Sequence, residues 1–89
     1  MSCYIITFEV ASTTAKNALT ERIKAYKNYC PINSTCWAIV TDSKAADVRD
    51  YLRQALAPQD RIFVLRSGTE GAWLNAYGQE HTDWLKRNL

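Results

Sequence analysis

The segment Cys3-Tyr4-Ile5-Ile6-Thr7-Phe8-Glu9-Val10 constrains this chain more than any other. Its apolar residues fall on both faces of an extended backbone, the pattern of a central strand covered on both sides. It ends near a carboxylate, Glu9, just before the turn at Ser12-Thr13-Thr14. An acid at the mouth of a central strand is either a solvated strand end or one half of a metal or catalytic site.

The hydroxyls of Ser12-Thr13-Thr14 supply N-caps for a helix. Ala15, Ala18, Leu19, Ile23 and Tyr26 form its apolar stripe, with Lys16, Glu21, Arg22 and Lys24 mostly outside it. Pro31 closes that region, because the residue before a proline is pushed out of helical geometry. Asn33-Ser34 then predicts a turn between two extended pieces, around 29–32 and 35–40. Thr41-Asp42-Ser43 opens a second helix with Ala45, Val48, Leu52, Ala55 and Leu56 on its apolar face. Ile62-Phe63-Val64-Leu65 predicts a further buried strand, stopped by Ser67-Gly68. Ala72-Trp73-Leu74 predicts a short edge strand, and Thr82-Asp83-Trp84-Leu85-Lys86 a closing helical turn or two.

Strand, helix, strand pair, helix, strand is the order of an α+β, ferredoxin-like βαββαβ sandwich. In that arrangement an antiparallel sheet carries both helices on one face. A C-terminal strand and short helix are expected in addition. A chain of 89 residues is one domain, with a core at about 3–67 and an appendage at 68–89. The sheet face without helices is expected to be open and apolar, and therefore the interface of a homodimer.

Composition narrows the function classes. A net charge of +2 with 22% charged residues is too mild to declare a nucleic-acid binder, although it allows a local basic face. Cys3, Cys30 and Cys36 are odd in number and lack paired spacing, and His81 lies far from them, so neither a disulfide framework nor a zinc site is expected. Those thiols read as inert core. The N-terminal sequence does not read as a signal peptide, and the chain has no apolar run of membrane-spanning length, so a reduced, cytoplasmic protein without membrane association is expected.

Three segments carry a resemblance to a known group. Tyr4-Ile5-Ile6-Thr7-Phe8-Glu9-Val10, Ile32-Asn33-Ser34-Thr35-Cys36-Trp37 and Asp60-Arg61-Ile62-Phe63-Val64-Leu65 resemble the first strand, polar turn and fourth strand of one small family. That family is the endoribonuclease-like subunit of CRISPR adaptation (Cas-two), with its VapD toxin and SinR-like relatives. The resemblance covers roughly residues 3–67, and the ending with Trp73 and Trp84 looks closer to the SinR-like branch. It implies a homodimer, a possible place in a CRISPR or toxin-antitoxin system, and metal-dependent endonuclease chemistry on RNA or DNA. It also implies a magnesium ion shared by the first-strand acids of two subunits. The family's acid is typically aspartate and here it is Glu9. Glutamate also ligates hard cations, but its extra methylene alters the geometry of a site tuned for aspartate.

The candidate residues follow. Glu9 is the candidate magnesium ligand and catalytic acid, with a solvated strand-end carboxylate as the plainer reading. Ser34, with Thr35, is a candidate for orienting a phosphate or water, against its ordinary use in a turn. Lys16, Arg22, Arg61 and Arg66 are candidates for contacting a nucleic-acid backbone, against ordinary solvated charge. Tyr26, Tyr29, Trp37, Trp73 and Trp84 offer stacking surfaces, though core or interface roles suit their spacing better. Trp73, Leu74 and Trp84 are the expected dimer-interface residues, with Ala72-Trp73-Leu74 pairing with the partner's sheet as the resemblance implies. His81 would take part in acid–base chemistry only by folding back on Glu9; an exposed helix start is the alternative. A non-catalytic dimeric scaffold, or a module binding nucleic acid or a protein partner, is the rival to the enzyme.

Overall fold

A computed structural model of the chain describes residues 1–68 and 70–89. The elements run β1 (Ser2–Glu9), α1 (Thr13–Lys24), β2 (Tyr29–Asn33), β3 (Cys36–Thr41), α2 (Ala45–Leu52), β4 (Arg61–Arg66) and α3 (Gln79–Asn88), with a 3-10 turn at Arg53–Ala55 after α2. The four strands form one sheet in the order β2-β3-β1-β4, and every neighbouring pair is antiparallel. This is the ferredoxin-like order. The connections through α1 and α2 each skip one strand, which puts both helices over the same face.

Local chemistry explains the boundaries. Ser12 caps α1, its hydroxyl accepting from the Ala15 backbone N–H at 3.0 Å. Lys27, in the left-handed region at φ 69°, turns the chain from α1 towards β2. Pro31 sits in β2, which lies at one margin of the sheet, where a missing N–H is tolerated.

The main core lies between the sheet and α1/α2. Tyr4, Ile6 and Phe8 of β1 meet Leu19 and Ile23 of α1, Val48 and Leu52 of α2, and Ile39 of β3. The expected stripes largely hold, except that Ala18 is exposed. Tyr26 lies beyond the end of α1, where it makes an edge-to-face contact with Tyr51 at 5.7 Å between ring centroids.

The other face differs from the expectation of an open sheet. The closing helix spans ten residues, well beyond a turn or two, and it packs on that face. Leu85 is buried with Cys3, Cys30 and Ala38, and Trp73, Trp84, Ile5, Ile32 and Val40 pack around them. The odd-numbered face of β1 is therefore covered only in its first half. Thr7 and Glu9, further along the same face, are exposed.

Two further expectations are corrected. Ala72-Trp73-Leu74 forms no strand within the single chain, and the segment before α3 is irregular. β4 is not a buried strand: Phe63 is 60% exposed and Leu65 41%. The reason is position, since β4 is the outer strand beside β1 and only its Leu65 end borders α3 and the segment before it.

Candidate functional site

The end of β1 opens onto a broad depression walled by the β2–β3 turn, the C-terminal part of α2 and the start of β4. Its lining includes Thr7, Glu9, Asn33, Arg49, Arg53 and Arg61. The carboxylate of Asp60 shapes the floor by accepting from the backbone N–H groups of Ala11 at 3.2 Å and Ala57 at 2.9 Å. One side chain thus ties the loop after β1 to the loop before β4. The Phe8 N–H donates to the Thr35 carbonyl at 2.9 Å, which holds the β2–β3 turn beside the strand end.

Glu9 lies directly opposite Arg61 in the β1–β4 register. The Arg61 guanidinium donates to the Glu9 carboxylate at 2.5 Å, and both side chains are largely exposed, at 80% and 74%. Cross-strand opposite charges of this kind are ordinary sheet-stabilising neighbours. The expected metal ligand therefore already has a cation of its own. Among the described residues no group of three or more His, Cys, Asp or Glu side chains could hold a metal ion. A hard divalent cation asks for several oxygen ligands, and one carboxylate engaged by a guanidinium does not fit that demand within a single chain.

The remaining candidates are scattered. Ser34 is exposed at the tip of the β2–β3 turn, but Asn33 organises that turn, its side-chain oxygen accepting from the Thr35 N–H at 2.9 Å and the Thr35 hydroxyl at 3.2 Å. Arg22 is occupied structurally, donating to the Tyr51 carbonyl at 3.2 Å and lying 4.9 Å over the Tyr51 ring. Lys16 belongs to α1 in the helix layer. Arg61 and Arg66 stand at opposite ends of β4 and, by strand alternation, on opposite faces. The four proposed backbone-binding cations thus form no common surface.

Trp84 and Trp73 pack within their own chain, and the Trp84 ring N–H donates to the Asn28 side-chain oxygen at 2.8 Å. Leu74 is 87% exposed. His81 is half-buried near the start of α3, edge-on to Tyr77 at 6.1 Å, and its Nδ1 is buried without a hydrogen-bond partner. It belongs to the α3 end of the sheet and does not line the depression holding Glu9.

Arg49 and Arg53 are additions that motif reasoning missed. Both reach the depression, but both also face Asp50, at 3.0 Å and 3.9 Å. The Arg49 hydrogen bond, helped by the charges of Arg49 and Arg53, holds the Asp50 carboxyl below the usual carboxylate range. Both lie off the apolar stripe of Val48 and Leu52, and no local spacing marks them as rim residues.

The thiols are free, with Cys3 and Cys30 buried and Cys36 half-buried. Burial pushes all three up from the ordinary thiol range. A raised thiol is a poor nucleophile at neutral pH. The native chain also holds its thiol protons more tightly than the unfolded chain. Stability is therefore full below the ordinary thiol range and falls as pH rises through the raised native values. Urea midpoints should drop between neutral pH and about pH 10, and neutral-pH alkylation should reach Cys36 before Cys3 or Cys30. An unchanged midpoint together with rapid modification of Cys3 would contradict this placement.

No family-level sequence match is found, and no curated protein matches the chain. Among solved structures it is similar to the crystal structure of a hypothetical protein, TT1823, from Thermus thermophilus. That likeness has a TM-score of 0.68 at 15% sequence identity, covering 84% of this chain and 92% of the other. At that identity the likeness speaks for the fold alone. The class is therefore a small α+β protein with a four-stranded antiparallel sheet, compatible with the ferredoxin-like fold. No described helix is long and apolar enough to cross a membrane.

Proposed function

We propose that this chain is a homodimeric scaffold built on the architecture of the CRISPR-adaptation and VapD group, without nuclease chemistry of its own. One observation carries the reading. The sheet face beside α3 combines exposed Phe63 and partly covered Leu65 with the ion pair of Glu9 and Arg61. Apolar side chains rimmed by charge on a flat sheet are the anatomy of an association surface. The engagement of Glu9 by Arg61 speaks against a metal-bound acid.

Metal-dependent cleavage of RNA or DNA is the second reading. It is favoured by the exposure of Glu9 at the end of the central strand beside the Asn33–Thr35 turn. Incubation of labelled RNA and DNA with the protein, with and without magnesium, tests the choice alongside light scattering. The scaffold predicts a mass twice the 10.1 kDa of the chain and no magnesium-dependent cleavage. Cleavage that requires magnesium and disappears in Glu9→Ala would install the second reading in place of the first.

A further inference from the structure

We propose that Arg61 is the counter-ion of Glu9 across the dimer as well as within the chain, doing electrostatically what a shared metal would otherwise do. The inference rests on the homodimer reading and says which surface, which axis and which charges build it.

The register defines the geometry. On the bare face Glu9 stands opposite Arg61 and Thr7 opposite Phe63, while the next pair, Ile5 and Leu65, borders Trp73 and Leu85 of the same chain. β1 thus presents one column and β4 the other, side by side on a flat surface. A two-fold axis lying between two facing sheets, parallel to the strands and midway between β1 and β4, exchanges the columns. It sets Glu9 against the partner's Arg61 and Thr7 against the partner's Phe63. Every contact occurs twice, as an isologous interface requires. The patch is self-complementary because each copy carries both signs of charge at the same level of the sheet.

The occupant is therefore a second copy. α3 packs over β2 and the Cys3 end of β1 and, with the segment before it, borders Leu65 of β4, so the bare part of the face is the end that holds Thr7, Glu9, Arg61 and Phe63. An axis placed across the strands at Glu9 would bring the two carboxylates face to face, the arrangement that calls for a metal. Arg61, directly beside Glu9, makes the charge-exchanging axis the one with favourable pairs. Phe63, 60% exposed, supplies the apolar contact that exposed ion pairs alone do not provide.

Two charge-reversal variants and their mixture test the proposal. Glu9→Arg leaves only cations at this level of the sheet, and Arg61→Glu leaves only anions. Both positions are largely exposed, so both variants should keep the wild-type circular dichroism spectrum. Sedimentation is expected to show each variant alone dimerising at least about tenfold more weakly than wild type, because like charges then face one another. An equimolar mixture is expected to recover a heterodimer of near wild-type affinity. The wild-type dimer is expected to be indifferent to EDTA. A wild-type chain that stays monomeric overturns the homodimer reading together with this inference. A wild-type dimer that EDTA dissociates, variants that dimerise normally, or a mixture that fails to associate each overturn the ion-pair exchange while leaving the dimer standing.

Discussion

Replacing Ile6 with alanine is expected to lower the free energy of unfolding by about 3 kcal/mol, within the range for emptying a fully packed core position. Ile6 is fully buried and sits on the central strand between Trp37 of β3 and Val64 of β4. Its side chain points into the layer formed by Leu19, Ile23, Val48 and Leu52, so no single neighbour can move in to fill the space. A domain of this length has a total stability on the order of 5–10 kcal/mol, and the loss is therefore a large share of it. Urea unfolding gives the measurement. Ile62→Ala, at a half-buried position of the outer strand, is expected to cost clearly less. A loss under about 1 kcal/mol for Ile6→Ala would contradict its place at the centre of the core.

The second large effect concerns α3. Deleting residues 70–89 removes Leu85, buried at 2% exposure, together with the half-buried Trp73 and Trp84. At ordinary transfer values for apolar burial this costs about 4 kcal/mol, part of it from the newly wetted Cys3, Cys30 and Ala38. The melting temperature should fall, and the dependence of unfolding on urea should flatten because less surface is left to expose. Cys3 and Cys30 should become reactive towards a thiol reagent at concentrations that spare them in the full chain. A truncated protein with the same melting temperature and the same protected thiols would mean that α3 does not pack on the sheet. Within the single chain the closing helix covers part of the sheet, and Trp84, with Trp73 of the preceding segment, packs against that cover.

Where sequence and structure agree, the agreement has a local cause. Alternation of side chains along a strand and the three-to-four spacing along a helix are properties of neighbouring residues. Leu19, Ile23, Val48 and Leu52 could thus be assigned to the core from spacing alone. The two crossovers followed from the order of elements together with the preferred hand of such connections. The apolar character of both faces of β1 likewise required two covers, and the structure has two: α1/α2 on one side and α3 on part of the other.

The misplacements have long-range causes. Whether Ile62-Phe63-Val64-Leu65 is central or marginal depends on which strand it joins, and an apolar run looks the same in either setting. Joined to β1 on the side away from β3, it became an outer strand with Phe63 and Leu65 in solvent. The length of α3 and the sheet face it covers were not legible, because apolar Trp84 and Leu85 stand among polar and charged residues and mark packing without naming its partner.

Glu9 marks the same boundary between near and far. Its place at the end of a buried strand was legible from residues 3–10. Its partner was not, because Arg61 is 52 positions away and meets it only through strand register. The sequence by itself determined the elements, their order and the residues that must leave water, since those follow from local periodicity and burial. Tertiary structure alone decided which strand is marginal, how much of the sheet α3 covers and that Glu9 stands beside a cation. Each of those depends on contacts between residues far apart in the chain, whose energies no local pattern records.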